Sequence, residues 1–324
     1  MFIRLKNKFV SVLENARWRS LPQSITNSIL AVVLALNNEN FCIANAFCAV
    51  IGVVCTHLSA NLFDDYFDYI QGKVEIRNKV KGARGLKCAS IVNRTASLND
   101  ILFQACLFGT IAMLTGMYFI LIIGLPILYF ILAGAFLAIF YSAPPLKLSY
   151  RGLGELVTGL MFGPLLIGGV YYALTCTITA PVMLLSAASG LTVTNIIYVH
   201  SILDIQADEA CGKKTLAVIL KNDFLRFLVL FIFTFTPYII VFTVSKFLGT
   251  ILLVTLPAAV YILYVMRDKK RHKILFRFLP PKCRRLILSS GCEYFYTRWL
   301  LARNLMAVFT TIAIIYYIIE AFKV

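Results

Sequence analysis

Nine mostly apolar stretches constrain this chain more than any other feature, at roughly 23–38, 41–63, 100–117, 123–141, 153–174, 179–200, 224–244, 247–266 and 300–321. Most run for about 16–23 residues, enough to cross a hydrocarbon layer of about 30 Å as a helix. With 60% hydrophobic residues, 14% charged residues and a mean hydropathy of +0.83, a 324-residue chain has too little polar surface to be water-soluble. The pattern predicts an all-α polytopic membrane protein with nine transmembrane helices.

The net charge of +16 suggests nucleic acid until its distribution is followed. Alternating the nine spans places 29 of the 31 Lys and Arg on one side of the membrane and leaves Lys246 and Lys323 on the other. That bias predicts a cytoplasmic N-terminus and an external C-terminus. The basic side would attract membrane lipid headgroups and an anionic substrate rather than nucleic acid. Residues 1–22 read as a basic interfacial arm, and 23–324 as a single nine-helix domain. The nine Cys form no CxxC pair, so neither a zinc site nor a disulfide framework is expected.

Carboxylates gather where the second span ends, in Asn61-Leu-Phe-Asp64-Asp65-Tyr-Phe-Asp68. On a helix, Asn61, Asp64, Asp65 and Asp68 fall at i, i+3, i+4 and i+7 and share a face. Each acid in a membrane helix costs about 2.5–3.5 kcal/mol at the centre and less near the interface. The acids also repel one another and sit at the negative end of the helix dipole. A cation is therefore expected, and Mg²⁺ suits carboxylates that also hold a phosphate. The following loop, 69–99, is rich in Lys, Arg and Gly. It is either a solvated loop or a lid over the acids.

A second cluster closes the sixth span: His200, Asp204 and Asp208 are at i, i+4 and i+8, with Gly212 placed to end the helix. Between the clusters, Pro144-Pro145 stops the fourth span and leaves Lys147 and Arg151 at the membrane edge. Arg151 and Glu155 have the i, i+4 spacing of a helical ion pair. The glycines from Gly152 to Gly169 serve either close helix packing or room for a long ligand. Two acid clusters at matching helix ends could hold Mg²⁺ and, through it, a diphosphate whose hydrocarbon tail lies among the helices.

These motifs resemble the UbiA superfamily of intramembrane aromatic prenyltransferases. Its first signature is matched by Asn61 to Asp68, its second by Asp204-Ile-Gln-Ala-Asp208 followed by Gly212 to Val218. Tyr141-Ser-Ala-Pro-Pro, Tyr150-Arg-Gly-Leu-Gly-Glu155 and Phe162-Gly-Pro-Leu165 look most like the menaquinone-branch member, which prenylates 1,4-dihydroxy-2-naphthoate. The resemblance implies nine transmembrane helices in a ring-like bundle, Mg²⁺ dependence, an active site open to the cytoplasmic side, and ionisation of a prenyl diphosphate to an allylic cation that the aromatic acceptor attacks. It implies Asp65, Asp68, Asp204 and Asp208 as catalytic metal ligands, supported by Asn61 and Asp64. Arg84, Lys147, Arg151 and Lys214 are its candidate diphosphate contacts, Tyr141 and Tyr150 candidate supports for the cation, and His200 an acceptor contact or an interhelical hydrogen-bonder.

The chain departs from the family at Asp64, where Asn is usual, at Gly72, where an acid is expected, and at His200, Ser201 and Leu203, where the menaquinone branch carries Asn and Arg. Other acceptors therefore stay open: 4-hydroxybenzoate, haem, glycerol phosphate or a specialised metabolite. A cation transporter that uses the acids as a path is the alternative from another class.

Overall fold

The computed structural model describes residues 10–80, 87–267, 284 and 293–323, all helix, turn or loop apart from one isolated backbone bridge. Among the described residues, nine apolar helical segments carry the architecture: α1 (Pro22–Ala35), α2 (Ile43–Ile70), α3 (Leu98–Ile123), α4 (Ile127–Phe140), α5 (Gly154–Thr175), α6 (Ala180–Leu203), α7 (Asp223–Val244), α8 (Lys246–Met266) and α9 (Glu293–Ala321). Seven are long and apolar enough to cross a membrane, while α1 and α4 are shorter apolar helices of 14 residues each. The all-α polytopic fold is as expected.

Local chemistry sets the boundaries. Gly124, at φ +88°, ends α3, and Pro126 caps α4, so the expected fourth span starts four residues late. At the other end of α3, the Ser97 hydroxyl accepts from Asp100 N–H at 3.1 Å while the Asp100 carboxylate accepts from Ser97 N–H at 2.9 Å. Helix α2 runs seven residues past its apolar stretch. Its 28 residues span about 42 Å, more than the hydrocarbon layer, and its last turns carry the acids.

Helix α6 is the most buried span and packs on α5, α7 and α9. A Cβ on Gly190 would lie 2.4 Å from the Gly159 carbonyl oxygen, and one on Gly163 would lie 2.4 Å from the Ser186 carbonyl oxygen. The backbones of α5 and α6 therefore touch, and only glycine permits that approach. Helix α5 accommodates Pro164 through a π turn at Met161–Leu165. Asn27 of α1 donates to the Phe162 carbonyl there at 2.8 Å and accepts from the Ser189 hydroxyl of α6 at 2.8 Å. This polar tie fixes three helices around one end of the site.

Candidate active site

The last turns of α2 present their acids to three other segments. Asn61 donates to the Ala16 carbonyl at 3.1 Å and to the Ser20 hydroxyl at 3.0 Å, fastening the segment before α1 over the helix. That segment carries Arg17, whose backbone is left-handed at φ 55°. Its guanidinium reaches Asp64 Oδ2 at 3.1 Å and Asp65 Oδ2 at 3.3 Å. The Ser142 hydroxyl also donates to Asp64, and Cys88 Sγ lies 3.4 Å from Asp65 Oδ1. Asp68, 1% exposed, accepts from the Tyr150 hydroxyl at 2.7 Å and is ion-paired with Lys87.

The second cluster is held in the same way. Asp204, where α6 gives way to the short helix Ile205–Ala210, accepts from Arg77 Nη2 at 2.8 Å, both side chains 9% exposed. Arg77 lies on another short helix, Val74–Asn78, so the described part of loop 69–99 lies over the acids. Asp208 is buried beside Lys213, which stands 5.3 Å from the Tyr150 ring centroid.

The electrostatics follow from crowding charge into a buried place. Burial pushes the Asp208 carboxyl above its ordinary range, against the pull of Lys213. Burial lowers the Lys87 ammonium, with Asp64 opposing. Burial also works against the Arg17 charge, but Asp65 and Asp64 outweigh it and hold the guanidinium above its usual range.

The acids border a cavity of about 1150 Å³. Its polar end carries Asp64, Asp65, Asp204 and Asp208 with Arg17, Arg77, Lys87 and Lys213. Its other arm runs between α2, α3, α4 and α5, past Gly52, Met113 and Gly134 to Phe119, Ile127 and Phe130. Asp68 and Asp208 wall a small adjoining cleft together, with Tyr150 and Lys213.

The residues singled out in the sequence divide unevenly. Asn61, Asp64, Asp65, Asp204, Asp208, Tyr141 and His200 line the main cavity, and Asp68 and Tyr150 line the cleft. His200 packs 5.0 Å from the Phe295 ring and 5.6 Å from Trp299. His57 also lines the cavity, with Ser24 Oγ 2.9 Å from Nδ1 and Ser20 Oγ 3.1 Å from Nε2. Lys147, Arg151 and Lys214 do not line it; Arg151 instead donates to the Pro145 carbonyl at 3.0 Å. Arg84 and most of the basic stretch 267–298 lie outside the described residues. Among the described residues, the cations that line the cavity beside the acids are Arg17, Arg77, Lys87 and Lys213. Gly212, at φ +71°, turns the chain at the end of the short helix so that Lys213 follows it into the cavity wall.

The donor set fits a hard divalent ion in kind: buried carboxylate oxygens beside an anion-binding set of cations. Among the described residues, no three His, Cys, Asp or Glu side chains converge closely enough to hold one. The carboxylates are instead held by the chain's own cations, which a metal would have to displace.

The profile of the UbiA prenyltransferase family matches residues 27–279. A 1,4-dihydroxy-2-naphthoate octaprenyltransferase from Haemophilus influenzae is 26% identical over 213 residues, 63% of this chain and 67% of that protein. Among solved structures, a digeranylgeranylglyceryl phosphate synthase superposes with a TM-score of 0.60 at 17% identity, covering 98% of this chain and 100% of that one. A UbiA homolog from Archaeoglobus fulgidus, bound to GPP and Mg²⁺, superposes with a TM-score of 0.56 at 12% identity, covering 95% and 99%. The two superpositions show a shared fold.

Proposed function

Since this chain belongs to the UbiA prenyltransferase family, we propose that it transfers a prenyl chain from a prenyl diphosphate to 1,4-dihydroxy-2-naphthoate, with Mg²⁺ as its metal, in menaquinone biosynthesis. The chain is a multi-pass membrane protein and a prenyltransferase. The acceptor, the metal and the role of each residue are the parts proposed. One observation carries the reading: a single cavity joins a cluster of acids and cations to an apolar arm, the complement of a diphosphate joined to a hydrocarbon tail.

Asp65, Asp68, Asp204 and Asp208 hold the metal, and Asn61 and Asp64 keep the α2 face in register with the segment before α1. A bound Mg²⁺ supplies charge neutralisation for the departing diphosphate. Arg17, Arg77, Lys87 and Lys213 donate charge-assisted hydrogen bonds to the phosphate oxygens. Arg84, Lys147, Arg151 and Lys214 steer the anion at longer range. The Tyr141 and Tyr150 rings face the allylic cation, and the apolar arm keeps water from it. His200, with Phe295 and Trp299, forms an aromatic wall for the acceptor. The site faces the cytoplasm, on the basic side of the membrane, and the segment carrying Arg17 packs on its α2 acids.

The acceptor assignment rests on the motifs from Tyr141 to Leu165 and on the name of the Haemophilus relative. The test is to incubate the full chain in membranes with Mg²⁺, a prenyl diphosphate series and a panel of acceptors, then identify lipid products by mass spectrometry. Prenylated naphthoate product supports the reading. Product from 4-hydroxybenzoate, haem or glycerol phosphate alone reassigns the acceptor. Ion flux without diphosphate release rejects prenyl transfer.

A further inference from the structure

Three buried polar groups in one part of the cavity wall lack partners. Glu155 is 1% exposed; its Oε1 accepts from Leu216 N–H at 3.1 Å, but its Oε2 has no hydrogen-bond partner. Ser149 Oγ, 1% exposed, and Thr215 Oγ1, 5% exposed, also have none. All three residues line the main cavity. Their segments are stitched together: Ser149 N–H donates to the Tyr141 carbonyl at 2.9 Å, and Lys214 N–H to the Tyr150 carbonyl at 3.3 Å. The Ser201 hydroxyl reaches the Glu155 carboxylate, but its one proton is also claimed by the Ile197 carbonyl at 3.2 Å, so it does not satisfy both acceptors.

A buried carboxylate oxygen without a donor is costly, and a ligand that brings a donor relieves that cost on binding. A phosphate brings none at neutral pH and would be repelled by the negative charge. A hydroxyl on an aromatic ring brings one. The cations that suit a phosphate, Arg17, Arg77 and Lys87, are instead paired with the α2 and α6 acids. Lys213 lies between the two regions, interacting with Asp208 and Asp64 and also with Glu155.

We propose that Glu155, Ser149 and Thr215 form the acceptor subsite, in which Glu155 Oε2 accepts a hydrogen bond from a ring hydroxyl. The proposal rests on the prenyl-transfer reading and adds the face on which the acceptor sits. A hydroxyl anchored there leaves the ring beside Lys213, next to the diphosphate end of the donor. The Ser149 and Thr215 hydroxyls, each able to donate and accept, take a second polar substituent of the ring.

The test separates the two substrates. In Glu155→Gln the amide oxygen still accepts from Leu216 N–H, while the amide nitrogen replaces the orphan acceptor with a donor. The acceptor KM should rise by about tenfold or more, the worth of one lost hydrogen bond to a charged group. The prenyl diphosphate KM and the melting temperature should stay near wild type. Methylating the acceptor hydroxyls should weaken binding to the wild type and have little effect on the variant. Thr215→Val should raise the acceptor KM in the same selective way, and it decides the matter if Glu155→Gln fails to fold. An unchanged acceptor KM, or both KM values rising together, overturns the subsite while prenyl transfer stands. A wild type that forms no prenylated product with any aromatic acceptor overturns prenyl transfer and the subsite together.

Discussion

Asp68 and Asp208, 140 residues apart in the sequence, wall the same small cleft. Tyr150 donates to Asp68 at 2.7 Å, Lys87 is ion-paired with it, and Lys213 accompanies Asp208. The ends of α2 and α6 are thus brought together at one polar mouth. Four chain cations balance charges that the helices could not otherwise keep buried.

Arg17 competes with any metal for Asp64 and Asp65, its guanidinium lying 3.1 Å from Asp64. Arg17→Gln should tighten divalent-metal binding by about tenfold, roughly 1.4 kcal/mol, and lower the melting temperature of the metal-free protein. Titration with Mn²⁺ followed by paramagnetic resonance reads the affinity directly. Weaker or unchanged metal binding would contradict the competition.

Arg77 and Asp204 form an enclosed ion pair at the site, 9% exposed on both sides. Arg77→Ala leaves Asp204 without that partner and should cost about 3–5 kcal/mol in unfolding free energy. Adding Asp204→Ala should recover part of that loss, because the carboxylate that lost the Arg77 contact goes with it. Denaturant unfolding of the two single variants and the double variant measures the coupling.

The apolar arm makes a prediction at Gly134, which lines the cavity on α4 and has nothing within 4 Å of an added Cβ. It lies seven residues from Tyr141, about 10 Å along the helix axis. Gly134→Leu should fill the arm without disturbing packing. Turnover of geranyl diphosphate should stay within about twofold, while geranylgeranyl diphosphate should lose about 10- to 100-fold, from the roughly 1.5–3 kcal/mol of apolar burial its displaced tail would forgo. Equal loss on both donors would place the tail elsewhere.

Much of this was legible in the sequence because it is periodic. The apolar runs gave the helices, and the i, i+3, i+4, i+7 spacing put Asn61 to Asp68 on one face. Contacts between distant segments were not legible. Arg17 reaches the acids only because Asn61 ties down the segment before α1, and no local spacing encodes that. Lys213 rather than Lys214 lines the cavity because Gly212 turns the chain just before it. Arg151 and Glu155 do not pair, because α5 begins at Gly154 and Arg151 lies outside it. The i, i+4 rule applies only within one helix, and Glu155 is left to cap Leu216 N–H. The glycines served both purposes open in the sequence: Gly159 and Gly163 pack against α6, while Gly169 lines the cavity.

The central claim is that the acids from α2 and α6 act as one metal and diphosphate site. The direct measurement is Mg²⁺-dependent diphosphate release by wild type, Asp68→Asn, Asp208→Asn and the double variant, each confirmed to be inserted and folded. The account predicts release by wild type that chelation abolishes, loss of more than about a thousandfold in either single variant, and little further loss in the double variant. Near-wild-type release by either single variant, or losses that multiply as for independent sites, would contradict it.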